Sequence, residues 1–288
     1  MIGRRSFLAL ALCAALPVAH AQESVKIGLV TALSGQSARA GEAITRGLQI
    51  AIDELNAAGG VLGRKFELLR RDDEATPAKG VLAARELVFK EKVAVLFGGL
   101  DTPVSVAIVP IMNEAKVPFM GPWAAGTPIT KNGANPNFVF RVSAVDEIVD
   151  KAMLQYAQKN FNTKKPGMIL INNPWGQSNE AGLKAALSAK GITPAGIEKF
   201  EGNDVDVVPQ LTRLKAAGAD TLFLVGNVGP SAQVVIRSTA WAGRCRSCRT
   251  GVRRAAASPN WRDPARRACT SCRPIHSLAP SARSARRC

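Results

Sequence analysis

The stretch that most constrains the fold runs from Val25 to Asn56, VKIGLVTALSGQSARAGEAITRGLQIAIDELN. Val25, Ile27, Leu29 and Val30 form a short apolar run, as expected for a parallel strand covered on both faces. Ser34-Gly35 breaks it. From Gly41 the apolar residues fall at Ile44, Leu48, Ile52 and Leu55, a helical spacing that predicts an inward stripe, with Arg46, Gln49, Asp53 and Glu54 on the other side. The run Asn56-Ala57-Ala58-Gly59-Gly60 supplies a helix stop. A strand feeding a helix through a Ser/Gly loop is the first unit of a doubly wound α/β domain, whose ligands sit at the carboxyl ends of the strands.

The alternation continues along the chain. Strands are expected near residues 66–70, 93–97, 117–120, 138–140, 168–171, 198–200 and 221–225. Helices are expected over 78–90, with Val81, Leu82, Leu87 and Val88 inward, and over 104–115, 148–160, 176–189 and 207–216. Two blocks split near Ser143 argue for two α/β lobes, residues 24–142 and 143–236.

Residues 1–21 have the pattern of an export signal: Arg4 and Arg5, an apolar run from Phe7 to Val18, and Ala19-His20-Ala21 as a cleavage site after Ala21. Arg4-Arg5 leaves the route, general secretory or twin-arginine, open. An extracytoplasmic, periplasmic location follows.

The formal charge of +16 is unevenly placed. Residues 237–288 hold thirteen Arg, one Asp and no Lys, a net of +12, whereas residues 1–236 carry 25 Lys plus Arg against 21 Asp plus Glu. A nearly neutral body gives no reason to expect nucleic acid as a partner. Between Gln22 and Val235 there is no Cys and no His. That removes thiol nucleophiles, imidazole bases and the usual zinc ligands, and no phosphate-binding glycine motif follows the first strand. Neither catalytic residues, cofactor nor metal are expected. Asp72-Asp73-Glu74 reads as a solvated loop before a helix rather than a metal patch. A binding module is favoured over an enzyme.

The candidate contacts are strand-end turns. Gly98-Gly99-Leu100-Asp101-Thr102 offers glycines, a hydroxyl and free N–H groups suited to a carboxylate, although Thr102 could equally be a helix cap. Gly121-Pro122-Trp123-Ala124-Ala125-Gly126 is the second such turn, Asn172-Asn173-Pro174-Trp175 the third and Gly226-Asn227-Val228-Gly229 the fourth.

VKIGLVTALSG, NAAGGVLGRKFELLRRDDEATPAKG, Val117-Pro118-Phe119, Phe140-Arg141-Val142-Ser143 and Gly226-Asn227, in that order, resemble the substrate-binding proteins of branched-chain amino acid type ABC importers, with the periplasmic binding protein type I fold. The resemblance implies two doubly wound parallel-sheet lobes around a ligand cleft. It also implies an amino acid or related carboxylate as ligand and an inner-membrane permease as partner. It places ligand contacts at Thr102, Trp123, Ala124, Ala125, Trp175 and Val228. The family's tyrosine near Val228 is missing, and sensor domains of signalling systems share the fold.

From about Ile236 the composition changes: five of the six cysteines appear, and periodicity stops. Cys245-x-x-Cys248 and Cys269-x-x-Cys272 have zinc-ribbon spacing. The same nucleotides read one base earlier, with GC-rich codons, can instead encode text resembling the family's continuation. That reading predicts a frameshift near Val235, a fold incomplete at its C-terminus, a non-native, disordered tail over 237–288 and a product whose binding is compromised. On this reading the tail takes up no stoichiometric zinc in a metal-binding titration. Tight zinc binding that orders residues 245–272 would restore the ribbon.

Overall fold

A computed structural model describes residues 23–241. The expected signal segment and the cysteine-bearing part of the tail lie outside the described residues. The chain runs β1 (Val25–Thr31), α1 (Ala38–Ala57), β2 (Phe66–Asp72), α2 (Pro77–Arg85, continued by a π turn Glu86–Lys90), β3 (Val95–Gly98), α3 (Thr102–Ala115), β4 (Phe119–Gly121), α4 (Thr127–Thr130) and β5 (Val139–Arg141). It then continues as α5 (Asp146–Phe161), β6 (Pro166–Ile171), α6 (Pro174–Ser188), β7 (Gly196–Phe200), α7 (Val208–Ala216), β8 (Thr221–Val225) and α8 (Val228–Trp241).

The strands form two parallel sheets, ordered β2-β1-β3-β4-β5 and β7-β6-β8. In the first, the order reverses at β1, so the loops after β1 and β3 diverge to opposite faces and open a crevice at their carboxyl ends. The first core gathers Leu87, Leu96, Ile108, Met112, Phe119 and Ile129 between the sheet and α2–α4. In the second lobe every residue of β6 is buried. Met168 and Leu170 pack with Leu154 of α5 and Leu183 of α6. Ile169 and Ile171 pack with Leu211 and Leu214 of α7 and Val234 of α8. A strand covered on both faces must read as a continuous apolar run, and GMILI does.

Two inward stripes differ from expectation. Leu82 is 68% exposed. The buried face of α2 is Gly80, Ala83 and Ala84, continued by Leu87. These small residues bring α2 close to α3, and a Cβ on Gly80 would stand 2.5 Å from the Val104 Cγ1 atom. Leu55 at the end of α1 is half exposed, and the buried residues of that helix are Gly41, Thr45 and Ile52. Gly41 lies against the Ala32 carbonyl, leaving no room for a side chain. In both helices close backbone approach joins the buried Ile52, Leu87 and Val88 in setting the inner face. The last helix, α8, was not expected. It runs through Val235 and past the expected lobe boundary at Ile236 to Trp241.

Candidate functional site

The carboxyl ends of the strands present four expected turns and a fifth, Ser34–Ser37 after β1. In each lobe a serine inside the following helix ties down the strand-end glycine. Ser105 Oγ donates to the Gly99 carbonyl at 3.1 Å, and Ser231 Oγ to the Gly226 carbonyl at 2.9 Å. The α6 start is capped by Asn173, whose Oδ1 accepts from the N–H groups of Trp175 and Gly176.

Thr102, the first residue of α3, is 4% exposed. Its Oγ1 accepts from the Gly126 N–H at 3.2 Å, and a Cβ on Gly126 would collide with the Thr102 methyl. The hydroxyl therefore joins the loop after β3 to the loop after β4, and it is not the α3 cap; that position belongs to Asp101. The carbonyls of the second loop are also engaged. Ala124 O accepts from Ser143 Oγ at 2.7 Å, Ala125 O from the Asp146 N–H at 2.9 Å, and Gly126 O from Arg141 Nη2 at 2.7 Å. The N–H groups of Trp123, Ala124 and Ala125 meet no protein acceptor among the described residues. The loop is thus pinned through its carbonyls, while these three N–H donors have no internal partner. Trp123 beside them is 56% exposed.

The same loop leads directly into the junction of the lobes. The Thr127 N–H donates to Ser178 Oγ of α6 at 2.9 Å, and Thr127 Oγ1 accepts from the Glu147 N–H at 3.1 Å. Trp175 on the second lobe is half-buried and packs on both faces of that lobe's core. Val228 opens α8 and is 89% exposed. At its neighbour Gly229 an added Cβ would lie 3.8 Å from Gln36 Oε1 of the first lobe, so the turns after β1 and β8 face each other. Thr102, Trp123, Ala124 and Ala125 therefore share one rim; Trp175 and Val228 lie on the other lobe.

Sequence reading missed Gln36, Arg141 as a clamp and the buried pair Asp146 and Asp150, and it took Asp73 for part of a solvated loop although that side chain is buried; Asp101 is half-buried. Asp146 and Asp150, one turn apart on α5, are both buried. Burial holds the Asp146 carboxyl above the usual range against the side chains of Ser178, Trp175 and Asn179 and the charge of Arg141, which favour its anion. Burial, then repulsion from Asp146, pushes Asp150 to about 8. On the first lobe burial raises Asp101, and raises Asp73 to about 6, with Asp101 and Asp72 adding to the latter. Among the described residues no group of three or more His, Cys, Asp or Glu is placed to hold a metal ion. No helix there is long and apolar enough to cross a membrane.

Residues 24–246 match the family described as periplasmic binding protein. The chain is 30% identical over 206 residues to a Leu/Ile/Val-binding protein homolog of Brucella melitensis, covering 72% of this chain and 55% of that one. It is 30% identical over 210 residues to a Leu/Ile/Val-binding protein of Rhizobium johnstonii, covering 73% and 56%. The chain thus spans about half the length of these curated relatives. Among solved structures it resembles an ABC transporter solute-binding protein of R. palustris in complex with 4-hydroxybenzoate, with TM-score 0.67, 27% identity and 76% and 59% of the two chains covered. It also resembles the branched-chain amino acid substrate-binding protein of Streptococcus pneumoniae in complex with isoleucine, with TM-score 0.65, 25% identity and 76% and 61% covered. These relatives are solute-binding proteins, not enzymes. With its parallel sheets in the type I arrangement and a match over most of its length, the chain belongs to the periplasmic binding protein family.

Proposed function

We propose that this chain is the extracytoplasmic solute-binding component of an ABC importer. It closes its two lobes on a small amino acid or related carboxylate and hands it to an inner-membrane permease. The observation that carries this reading is the open N–H row of Trp123, Ala124 and Ala125, held at the lobe junction by the Ser143, Asp146 and Arg141 contacts. Oriented amides with no internal partner suit a carboxylate. Thr102 sets the loop and keeps its hydroxyl proton for the ligand, Trp123 and Trp175 supply apolar surface from the two lobes, and Val228 adds to it. Lobe closure about the Val142–Val145 crossing is the familiar hinge motion of two-lobed binders. Export with cleavage after Ala21 belongs to the same reading.

Calorimetric titration of the frame-restored protein with L-leucine, L-isoleucine and benzoate tests it. At least one is expected to bind with a dissociation constant in the micromolar range or below; heats no larger than dilution for all three would sink the proposal.

A further inference from the structure

The start of α5 and the first half of α6 meet in step at the lobe junction. Ser178 of α6 faces Asp146; one turn further along each helix, Gly182 faces Asp150. Both acids are shut off from solvent, Asp146 at 3% exposure and Asp150 at 0%. Three of their four carboxyl oxygens, Asp146 Oδ2 and both of Asp150, have no hydrogen-bond partner. Two enclosed anions with orphaned oxygens are too costly to stand side by side without a reason. A Cβ on Gly182 would lie 2.0 Å from Asp150 Oδ2, so α6 rests directly against that carboxyl. A proton fills such a gap without moving either helix.

The pair is connected to the first lobe. Ser178 Oγ accepts from the Thr127 N–H at 2.9 Å, which leaves its own proton for the Asp146 carboxyl that it faces. The Asp146 N–H donates to Ala125 O at 2.9 Å, and the Glu147 N–H to Thr127 Oγ1 at 3.1 Å. One carboxyl therefore stands behind the contacts that join the loop after β4 to α5 and α6. Arg141, at the end of β5, acts on Asp146. The other charges nearby are engaged elsewhere: Glu147 of α5 with Lys131 and Lys151, and Glu180 of α6 with Lys184 and Lys199. Helix α4 carries no charge, and β6 meets both helices with Met168 and Leu170.

We propose that Asp146 and Asp150 share one proton, carried by Asp150 and donated to Asp146 Oδ2, and that this proton latches the Thr127 loop to the second lobe. With the proton in place the pair holds a single charge, which Ser178, Trp175 and Asn179 stabilise on Asp146. Without it two carboxylates repel inside a closed helix pair, the start of α5 moves off α6, and Ser178 loses Thr127. Burial, then the charge of Asp146, pushes the Asp150 carboxyl up to about 8, so the latch is closed at neutral pH and opens in alkaline solution. The device belongs to the junction and does not depend on which solute the cleft takes.

Amide hydrogen exchange of the 288-residue chain, followed by NMR and corrected for the intrinsic rate at each pH, tests it. The Thr127 amide reports the latch, and the Ile169 amide, in the middle of β6, reports unfolding of the lobe. Between pH 6 and pH 9 the protection of Thr127 is expected to fall at least tenfold more than that of Ile169. In Asp150→Asn the side-chain amide gives Asp146 a donor that does not titrate, so the selective loss at Thr127 should vanish. In Ser178→Ala, Thr127 should be at least tenfold less protected than in the parent already at pH 6. Equal losses at Thr127 and Ile169 in the parent, or an unchanged selective loss in Asp150→Asn, overturn the latch. So does Thr127 protection restored at pH 9 by calcium at constant ionic strength, because a metal ion is then the missing partner. If neither variant folds, the two amides of the parent decide.

Discussion

Asp150→Asn is expected to stabilise the protein most strongly near pH 8 and to change little near pH 4. Asp150 is fully buried between α5 and α6, and neither carboxylate oxygen has a hydrogen-bond partner. A Cβ on Gly182 of α6 would run into its Oδ2, so the space around it is closed. Desolvation and the neighbouring Asp146 keep the proton on Asp150 up to about 8, while an unfolded chain releases it near 3.8. Between those values the folded state binds more protons than the unfolded one, so stability falls as pH rises. The slope is on the order of 1.4 kcal/mol per pH unit for each such group. Asp73, at about 6, adds to the fall over the lower half of the window. The melting temperature should therefore drop by roughly 10 °C between pH 5 and pH 8. Asparagine carries no charge at either pH and should flatten most of that drop. The groups facing this pair are the Arg141 charge, which acts on Asp146, and the uncharged Ser178 and Asn179. Melting curves across pH 4 to 9 for parent and variant decide it: parallel curves would place the proton elsewhere.

The sequence told much about the sheets and little about the junction between the lobes. β1 and β6 were legible because a strand buried on both faces must be apolar throughout, and VKIGLV and GMILI have few other homes in a soluble domain. On α1 and α2 the expected Ile52, Leu87 and Val88 are buried, whereas Leu55 and Leu82 are not, because a count of large apolar residues overlooks glycine and alanine. The contacts so overlooked are made by Gly41, Gly80, Ala83 and Ala84. Helix α4, four residues long, leaves no periodic signal. α8 crosses the point where composition changes, and Val234 is already part of the second core. In the candidate site, Thr102 and the Trp123–Ala125 turn were singled out by their strand-end place and by the family resemblance, and the structure adds that the Thr102 hydroxyl joins the two loops. The Asp146–Asp150 pair could not. Acids at i and i+4 near a helix start read as a solvated face favoured by the helix dipole, and only the packing of α6 shows that they are enclosed. Arg141 likewise reads as an ordinary charge at a strand end until the carbonyls around it are known.

Arg141→Ala is expected to destabilise the protein by about 3 kcal/mol and to weaken ligand binding at least tenfold. Arg141 is the last residue of β5, immediately before the chain crosses to the second lobe. Its guanidinium donates to Thr130 Oγ1 at 2.7 and 3.1 Å, to Gly126 O at 2.7 Å and to Ala144 O at 3.3 Å. One planar group thus fixes α4, the end of the donor loop and the crossing segment together. It sits deep enough that desolvation lowers its pKa, partly offset by Asp146. Removing it leaves the Thr130 hydroxyl and the Ala144 carbonyl without these donors and frees the loop that presents the Trp123, Ala124 and Ala125 amides. Stability is lost through the charged hydrogen bonds, each worth about 1.5–3 kcal/mol before relaxation and rehydration. Affinity is lost because the amides are no longer held in one geometry and must be ordered when the ligand arrives. Arg141→Lys separates the two contributions. A single ammonium retains the charge beside Asp146 but cannot reach three separated acceptors at once. It should therefore recover part of the stability and little of the affinity. Urea unfolding and calorimetry on the three proteins measure both quantities. An Arg141→Ala protein that unfolds and binds like the parent would show that the loop is held by Ser143 and Asp146 alone.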